Sequence, residues 1–387
     1  MIKLAKKLEE IQPFHVMDLL AKAKKMQSEG RDIIHLEVGE PDFPTPEPIK
    51  KAGINAINDS DLFYTPSQGQ AELRKQIAEY YQKTFSVSVD AKNVIVTAGA
   101  SAALLMVFGM LLDPYDELML CDPGYPCNLN FARFLSARIN RINVDEQSLY
   151  QLTAQKVEQH WTSSTRAVLI ASPSNPTGTL IAQDELKKIY DFVSAQGATL
   201  IVDEIYQQLV YDLKPQTALS ISSDIIIINS FSKYFQMTGW RLGWCIVPDE
   251  MLSSIDKLSQ NLYLAPSTPA QCAAVQAFTK ETTGILEQRR LIFKQRRDFL
   301  YQKLLDLGFK IPVKPEGAFY LYADCSRFTE DSMQFCYDVL NQTGVAITPG
   351  IDFGENNAKH YVRFSYTQDI KRLAEAVLRI EKFLYTK

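Results

Sequence analysis

Between residues 93 and 229 the chain alternates short β-branched runs with longer amphipathic stretches, and that alternation leaves few folds open. The runs at 93–97, 117–121, 167–171, 199–202 and 224–229 have strand length and little polar character, as strands covered on both faces do. The stretches at 102–112, 128–135 and 183–195 carry apolar residues at helical spacing. Strand and helix in repetition predict an α/β fold: a mostly parallel central sheet with helices on both faces. Such sheets hold ligands beyond the carboxyl ends of their strands, so chemistry is expected just after each run.

The flanking stretches read differently. Residues 10–30 follow a helical period that Gly30 ends, and 33–38 has the character of a strand. The prolines of 39–46 fix a loop, and a turn at 64–70 opens a helix carrying Leu73, Ile77, Tyr80 and Tyr81. After Pro248 the pattern is mostly helical to about residue 307. It includes a charged stretch at 287–297 that reads as a solvated helix face. Beyond it, strands (319–323, 345–347, 361–365) mix with helices (332–340, 370–385). The expected division is a large α/β domain over 48–290 and a smaller α+β domain over 291–387, with the segment 1–47 packed on the smaller one.

Composition excludes several classes. A net charge of −4 offers no basic surplus for nucleic acid, and no apolar run approaches the roughly 20 residues that span a bilayer. The N-terminus turns acidic where a signal peptide needs its apolar region, so a cytoplasmic protein is expected. Six scattered cysteines without a Cys-x-x-Cys pair read as reduced thiols, and four histidines without ligand spacing predict no metal site.

The strand ends carry the candidates. Lys233 follows the run at 224–229, lies between serines at 230 and 232, and has Arg241 close behind. A lone lysine is usually a solvated one. In this company it suits a Schiff base with an aldehyde whose phosphate the hydroxyls and guanidinium hold. Gly99-Ala100-Ser101 opens a helix, where free N–H groups bind an anion. Tyr125 sits on an Asp-Pro-Gly-Tyr-Pro turn, either stacking on a heteroaromatic ring or packing on the core. Asn175, in Asn-Pro-Thr-Gly, can donate to a phenolate-like oxygen. Asp203, ending an apolar run, needs a cationic partner such as a protonated ring nitrogen. Arg363, in the apolar strand Tyr-Val-Arg-Phe-Ser, matches a carboxylate, with a structural salt bridge as the alternative.

Asn175, Asp203, Lys233, Arg241 and Arg363 follow one another at separations of 28, 30, 8 and 122 residues. With Gly39-Glu-Pro-Asp, Tyr64 and Pro315-Glu-Gly-Ala-Phe-Tyr, they give a chain that resembles the class I/II aminotransferases over nearly its whole length. Those are fold-type-I enzymes using pyridoxal 5′-phosphate (PLP). The resemblance implies a PLP-dependent transferase-like fold. The implied activity moves an amino group from an L-amino acid to a 2-oxo acid, 2-oxoglutarate first, by a ping-pong mechanism through an internal aldimine at Lys233. It implies further that Asp203 keeps the pyridine nitrogen protonated, that Asn175 and Tyr206 hold the ring's 3′-oxygen, and that Tyr125 stacks on the ring. The phosphate would be bound by Ala100, Ser101, Ser230 and Arg241, with Tyr64 reaching the neighbouring subunit of a homodimer. Arg363 and the backbone at Gly39 would grip the substrate α-carboxylate.

Two positions depart from the family pattern. Gln236 stands where a small or aliphatic residue is usual and is expected to point away from the site. Ser101 stands where bacterial aspartate enzymes often have a lysine for the distal carboxylate, which points to a neutral or aromatic amino donor. PLP-dependent C–S lyase chemistry on the same scaffold is the competing expectation, because the cofactor permits several bond cleavages.

Overall fold

The structure is a computed structural model that describes residues 2–11, 13–59 and 62–385. In chain order the strands are β1 (Ile34–His35), β2 (Val94–Thr97), β3 (Glu117–Asp122), β4 (Arg138–Asn143), β5 (Thr165–Ala171), β6 (Thr199–Asp203), β7 (Ile226–Ser230) and β8 (Gly243–Ile246). They are followed by β9 (Tyr320–Asp324), β10 (Val345–Ala346), β11 (Thr348–Pro349) and β12 (Tyr361–Ser365). Seven of them form one sheet in the order β2-β8-β7-β6-β5-β3-β4.

That sheet is buried on both faces, and the pleat divides its residues between two apolar layers. Val168, Ile170, Leu200, Val202 and Ile227 belong to one cluster, while Ala167, Leu169, Ile201, Ile226 and Ile228 belong to the other. This is why the strands read as continuous apolar runs rather than alternating ones. All strands run parallel except β8, which pairs antiparallel with β2 and with β7. The reversal brings the start of β8 to the same edge as the ends of its neighbours. Gly243 is the register partner of both Thr97 and Ser230.

A smaller layer holds β11-β12-β9 in antiparallel order and the short parallel pair β1-β10. Only residues 34–35 of the expected strand at 33–38 pair as a strand. The ladder runs on through Leu36, whose N–H donates to Ala346 at 2.9 Å and whose carbonyl accepts from Ser365. The N-terminal segment thus hydrogen-bonds to the C-terminal layer.

The charged stretch at 287–297 corrects the sequence reading. It lies in helix Lys280–Asp306, but Arg296 and Arg297 are buried, not solvated. Arg296 forks onto Asp42 at 2.7 and 2.9 Å and also donates to Thr367 O, while Arg297 pairs with Asp212 at 2.7 Å and donates to Pro315 O. Buried guanidinium groups persist because each is paired and hydrogen-bonded. The effect is to pin the proline-rich loop that follows β1 against the long helix.

Candidate active site

Every parallel strand of the large sheet except the edge strand β4 delivers a candidate residue to one edge, and the reversed β8 adds Arg241 there. One cavity of about 430 Å³ is lined by Gly39, Ala100, Ser101, Tyr125, Asn175, Asp203, Tyr206, Ser230, Lys233, Arg241 and Arg363. The structure thus brings together all the candidates named from sequence except Tyr64. That residue is 82% exposed on the outer surface, beside exposed Phe63, and does not line this chain's cavity.

Lys233 is half-buried, and its Nζ donates to the Gly39 carbonyl at 2.6 Å. Loss of hydration pulls the amine down to about 8; Glu40 opposes this, Arg363 and Arg241 add to it, and Asp203 opposes it weakly. Asp203 ends β6 at 6% exposure and accepts the Ile205 N–H at 3.0 Å. Burial pushes its carboxyl up to about 6, against that hydrogen bond and the charge of Lys233. It has no ion-pair partner within 4 Å among the described residues. Its neighbour Glu204 faces the other way, into bonds from Thr217 and Ala218, and does not line the cavity.

At one end the cavity is built for a polyanion. At the start of helix Ala100–Leu111 the Ala102 and Ala103 N–H groups donate to Gly99 O, which leaves those of Ala100 and Ser101 for an anion. Ser230 Oγ lies 3.0 Å from Ser232 Oγ. Arg241, in the left-handed region at φ +52°, donates to Thr238 O at 3.1 Å. Opposite it stands Gly99, where a Cβ would lie 2.8 Å from the Arg241 guanidinium, so only glycine leaves this approach open.

At the other end Arg363, 3% exposed, lies between the rings of Tyr320 (4.2 Å) and Phe353 (4.7 Å). It donates to Asn175 Oδ1 at 2.8 Å, to Glu37 O at 2.6 Å and to Thr348 Oγ1 at 3.3 Å. Among the described residues its Nε–H has no hydrogen-bond partner. Because Asn175 accepts from Arg363 through Oδ1, its Nδ2 hydrogens are the ones free to donate. Tyr206 and Tyr320 share a hydroxyl–hydroxyl bond of 2.7 Å, and a Cβ on Gly39 would collide with the Tyr320 hydroxyl. Gln236, as expected, does not line the cavity; it is buried, and its side chain is held by Arg289.

Ser232, whose hydroxyl was expected beside the phosphate, also lines the cavity, as do Thr238, Glu40 and Tyr320, to which sequence reasoning assigned no role. Tyr320 was open to detection from its place in the Pro-Glu-Gly-Ala-Phe-Tyr motif. Glu40 likewise stands in the Gly-Glu-Pro-Asp motif, whereas Thr238 carries no such signal and meets Glu40 only through a hydrogen bond of 2.6 Å spanning 198 residues.

The donor set fits PLP: serines, a helix start and an arginine for a phosphate, a strand-end amine for an aldehyde, a buried carboxylate for a ring nitrogen. Fold and site together define a PLP-dependent transferase. Residues 31–380 match the family described as aminotransferase class I and II, and the chain belongs to it. It is 38% identical over 384 residues to the (5-formylfuran-3-yl)methyl phosphate transaminase of Methanocaldococcus jannaschii, covering 98% of this chain and 99% of that one. It is also 38% identical over 377 residues to a valine–pyruvate aminotransferase of Mycobacterium tuberculosis, covering 97% of each. A crystal structure of an aminotransferase from M. tuberculosis superposes with a TM-score of 0.96 at 37% identity, covering 100% of both chains. The protein is a PLP-dependent aminotransferase with amino acid and 2-oxo acid substrates. The lyase expectation has no counterpart among these relatives. Among the described residues no helix is long and apolar enough to cross a membrane.

Proposed function

We propose that the enzyme takes the amino group of an L-amino acid with an apolar or aromatic side chain and passes it to a 2-oxo acid. The observation that carries this reading is the charge count of the cavity. Among the described residues its cationic side chains are Lys233, Arg241 and Arg363. With Arg241 given to the phosphate, Arg363 to the α-carboxylate and Lys233 to the chemistry, none remains for a second carboxylate. Glu40 adds a like charge at the mouth, and Phe14, Val16, Met17 and Leu104 supply apolar wall. On family grounds 2-oxoglutarate is one acceptor, and the same charge count ranks a 2-oxo acid without a second carboxylate, such as pyruvate, above it. The enzyme is proposed to be a cytoplasmic homodimer in which Tyr64 of one subunit completes the other's phosphate site.

Bound PLP supplies the carbonyl carbon that receives the amino group and the ring that withdraws electrons from Cα. The chain's own residues do the rest. An amine held near 8 is unprotonated in roughly a tenth of molecules at neutral pH, which suits Lys233 both as nucleophile and as carrier of the Cα proton. Asp203, costly to ionise where it lies, favours a protonated partner on the ring. Asn175 Nδ2 and the Tyr206 hydroxyl are the donors for the ring oxygen, and Tyr125 covers its face. Arg363 fixes the α-carboxylate, with the Gly39 N–H beside it since the Gly39 carbonyl is taken by Lys233. Two anchored ends orient the Cα–H bond, so that binding energy becomes alignment.

A panel of twenty amino acids with 2-oxoglutarate, read as glutamate formed, tests the donor reading. Leucine-like or aromatic donors should lead. A ranking headed by aspartate would overturn it.

A further inference from the structure

The segment 352–356 touches three walls of the cavity at once. The Phe353 ring lies 4.7 Å from the Arg363 guanidinium, and its carbonyl accepts from the Gly124 N–H at 2.8 Å, next to Tyr125. Glu355 and Asn356 donate backbone N–H groups to the Asp122 carboxylate at 3.0 and 3.4 Å. Gly354 permits this close approach, since a Cβ there would sit 1.8 Å from Asp122 Oδ1.

Asp352 turns toward the N-terminal helix. Its Oδ1 accepts from the His15 N–H at 2.9 Å and its Oδ2 from the Val16 N–H at 2.7 Å. These are first-turn groups of helix His15–Ser28, which has no side-chain cap of its own because Phe14 occupies the N-cap position. A carboxylate more than 330 residues downstream thus does the work a local Ser or Asp usually does. It is 7% exposed and commits both oxygens to the task. The helix start it holds places Phe14, Val16 and Met17 in the cavity wall, with Phe14 edge-on to Tyr125 at 6.2 Å. Val16 is buried but Met17 is 54% exposed, so packing holds one side of this turn while the carboxylate holds its start.

We propose that Asp352 is a positioning residue that latches the first turn of the N-terminal helix across the cavity, and that the wall so placed selects large apolar amino donors over small ones. This rests on the donor reading given above. It ties substrate choice to a residue that does not line the cavity.

The test compares holoenzyme with Asp352→Asn and Phe14→Ala, using leucine, alanine and aspartate as donors, with amide hydrogen exchange over residues 15–28. Asp352→Asn should speed exchange in the first turn and raise the KM for leucine about tenfold with kcat held within about twofold, the scale of a lost apolar contact. The alanine KM should move little, and the absorbance of the bound cofactor should not change. Phe14→Ala should reproduce the specificity loss without the exchange change, which keeps the test decisive if Asp352→Asn folds poorly. An unaltered leucine-to-alanine ratio in both variants, with a wild type that prefers leucine, overturns the latch. A wild type that prefers aspartate overturns the donor reading itself.

Discussion

Arg363 and Asn175 meet through a hydrogen bond of 2.8 Å between Nη1 and Oδ1, although one lies in β12 of the small layer and the other in the loop after β5 of the large sheet, 188 residues apart. The bond joins the proposed carboxylate anchor to the proposed partner of the ring oxygen. It also fixes which end of the Asn175 amide faces the cavity. On the proposed reading, one contact between the large domain and the small layer couples substrate position to cofactor position.

Arg363→Lys should break that link without removing the charge. An ammonium cannot serve Asn175 Oδ1, Glu37 O and a carboxylate in the planar arrangement that the guanidinium offers. The amino acid KM should rise roughly tenfold to a hundredfold, with a smaller change in cofactor affinity, because a buried anion loses part of its partner. Steady-state kinetics beside a cofactor titration would show this. An unchanged KM would place the carboxylate elsewhere.

Asp203 gives a pH prediction with a definite sign. Its carboxyl rises from 3.8 to about 6 on folding, so between those values the folded apoprotein holds a proton that the unfolded chain has lost. Stability from this group therefore falls as pH rises through 4 to 6, and the penalty is fully present above 6. Its size is on the order of 3 kcal/mol. Denaturant melts of apoprotein and of Asp203→Asn should show a stability difference that shifts by that order across this window, which cancels the separate contribution of Glu204. Adding PLP should remove the shift from the wild type. A difference that stays flat with pH would mean the carboxyl is not perturbed.

The large sheet was legible because strands buried on both faces must be apolar throughout, and the strand-end residues followed from that. Two strands were not legible. β4 reads Arg-Ile-Asn-Arg-Ile-Asn and is partly exposed at the sheet edge, so it lacks the apolar run. β8 is four residues long and antiparallel, hidden behind the glycines around Arg241. Arg296 and Arg297 looked solvated because their acidic partners, Asp42 and Asp212, lie 254 and 85 residues away. Asp352 was invisible for the same reason. A cap supplied from the far end of the chain leaves no local pattern.

Ser101 lines the cavity and is exposed, so a cation can be placed there. Ser101→Lys should raise kcat/KM for aspartate relative to leucine by about two- to fivefold, the worth of a partly solvated ion pair. Among acceptors for the wild type, pyruvate should show a lower KM than 2-oxoglutarate, since it brings no second carboxylate to a cavity with no spare cation. Competition between the two acceptors would decide. A lower KM for 2-oxoglutarate would mean that a cation from outside this chain's cavity enters the site.

Tyr64 provides the last test. At 82% exposure it continues a run of exposed apolar residues with Leu62 and Phe63 (75%), and Ile54 and Ile57 of helix Glu47–Asp59 are exposed as well. Phe63 is fixed there by its carbonyl, which accepts from Thr268 Oγ1 at 2.8 Å. If Tyr64 completes a neighbour's phosphate site, Tyr64→Ala and Lys233→Ala chains should each be impaired alone and active together. A mixed dimer then contains one site with Lys233 from the first chain and Tyr64 from the second, and one site lacking both. Co-expression with distinguishable tags and purification of the hybrid should return close to half the activity of a wild-type dimer. The recovered activity should depend on both tags being present. A hybrid no better than its parents would leave Tyr64 as a surface residue and each cavity complete within one chain.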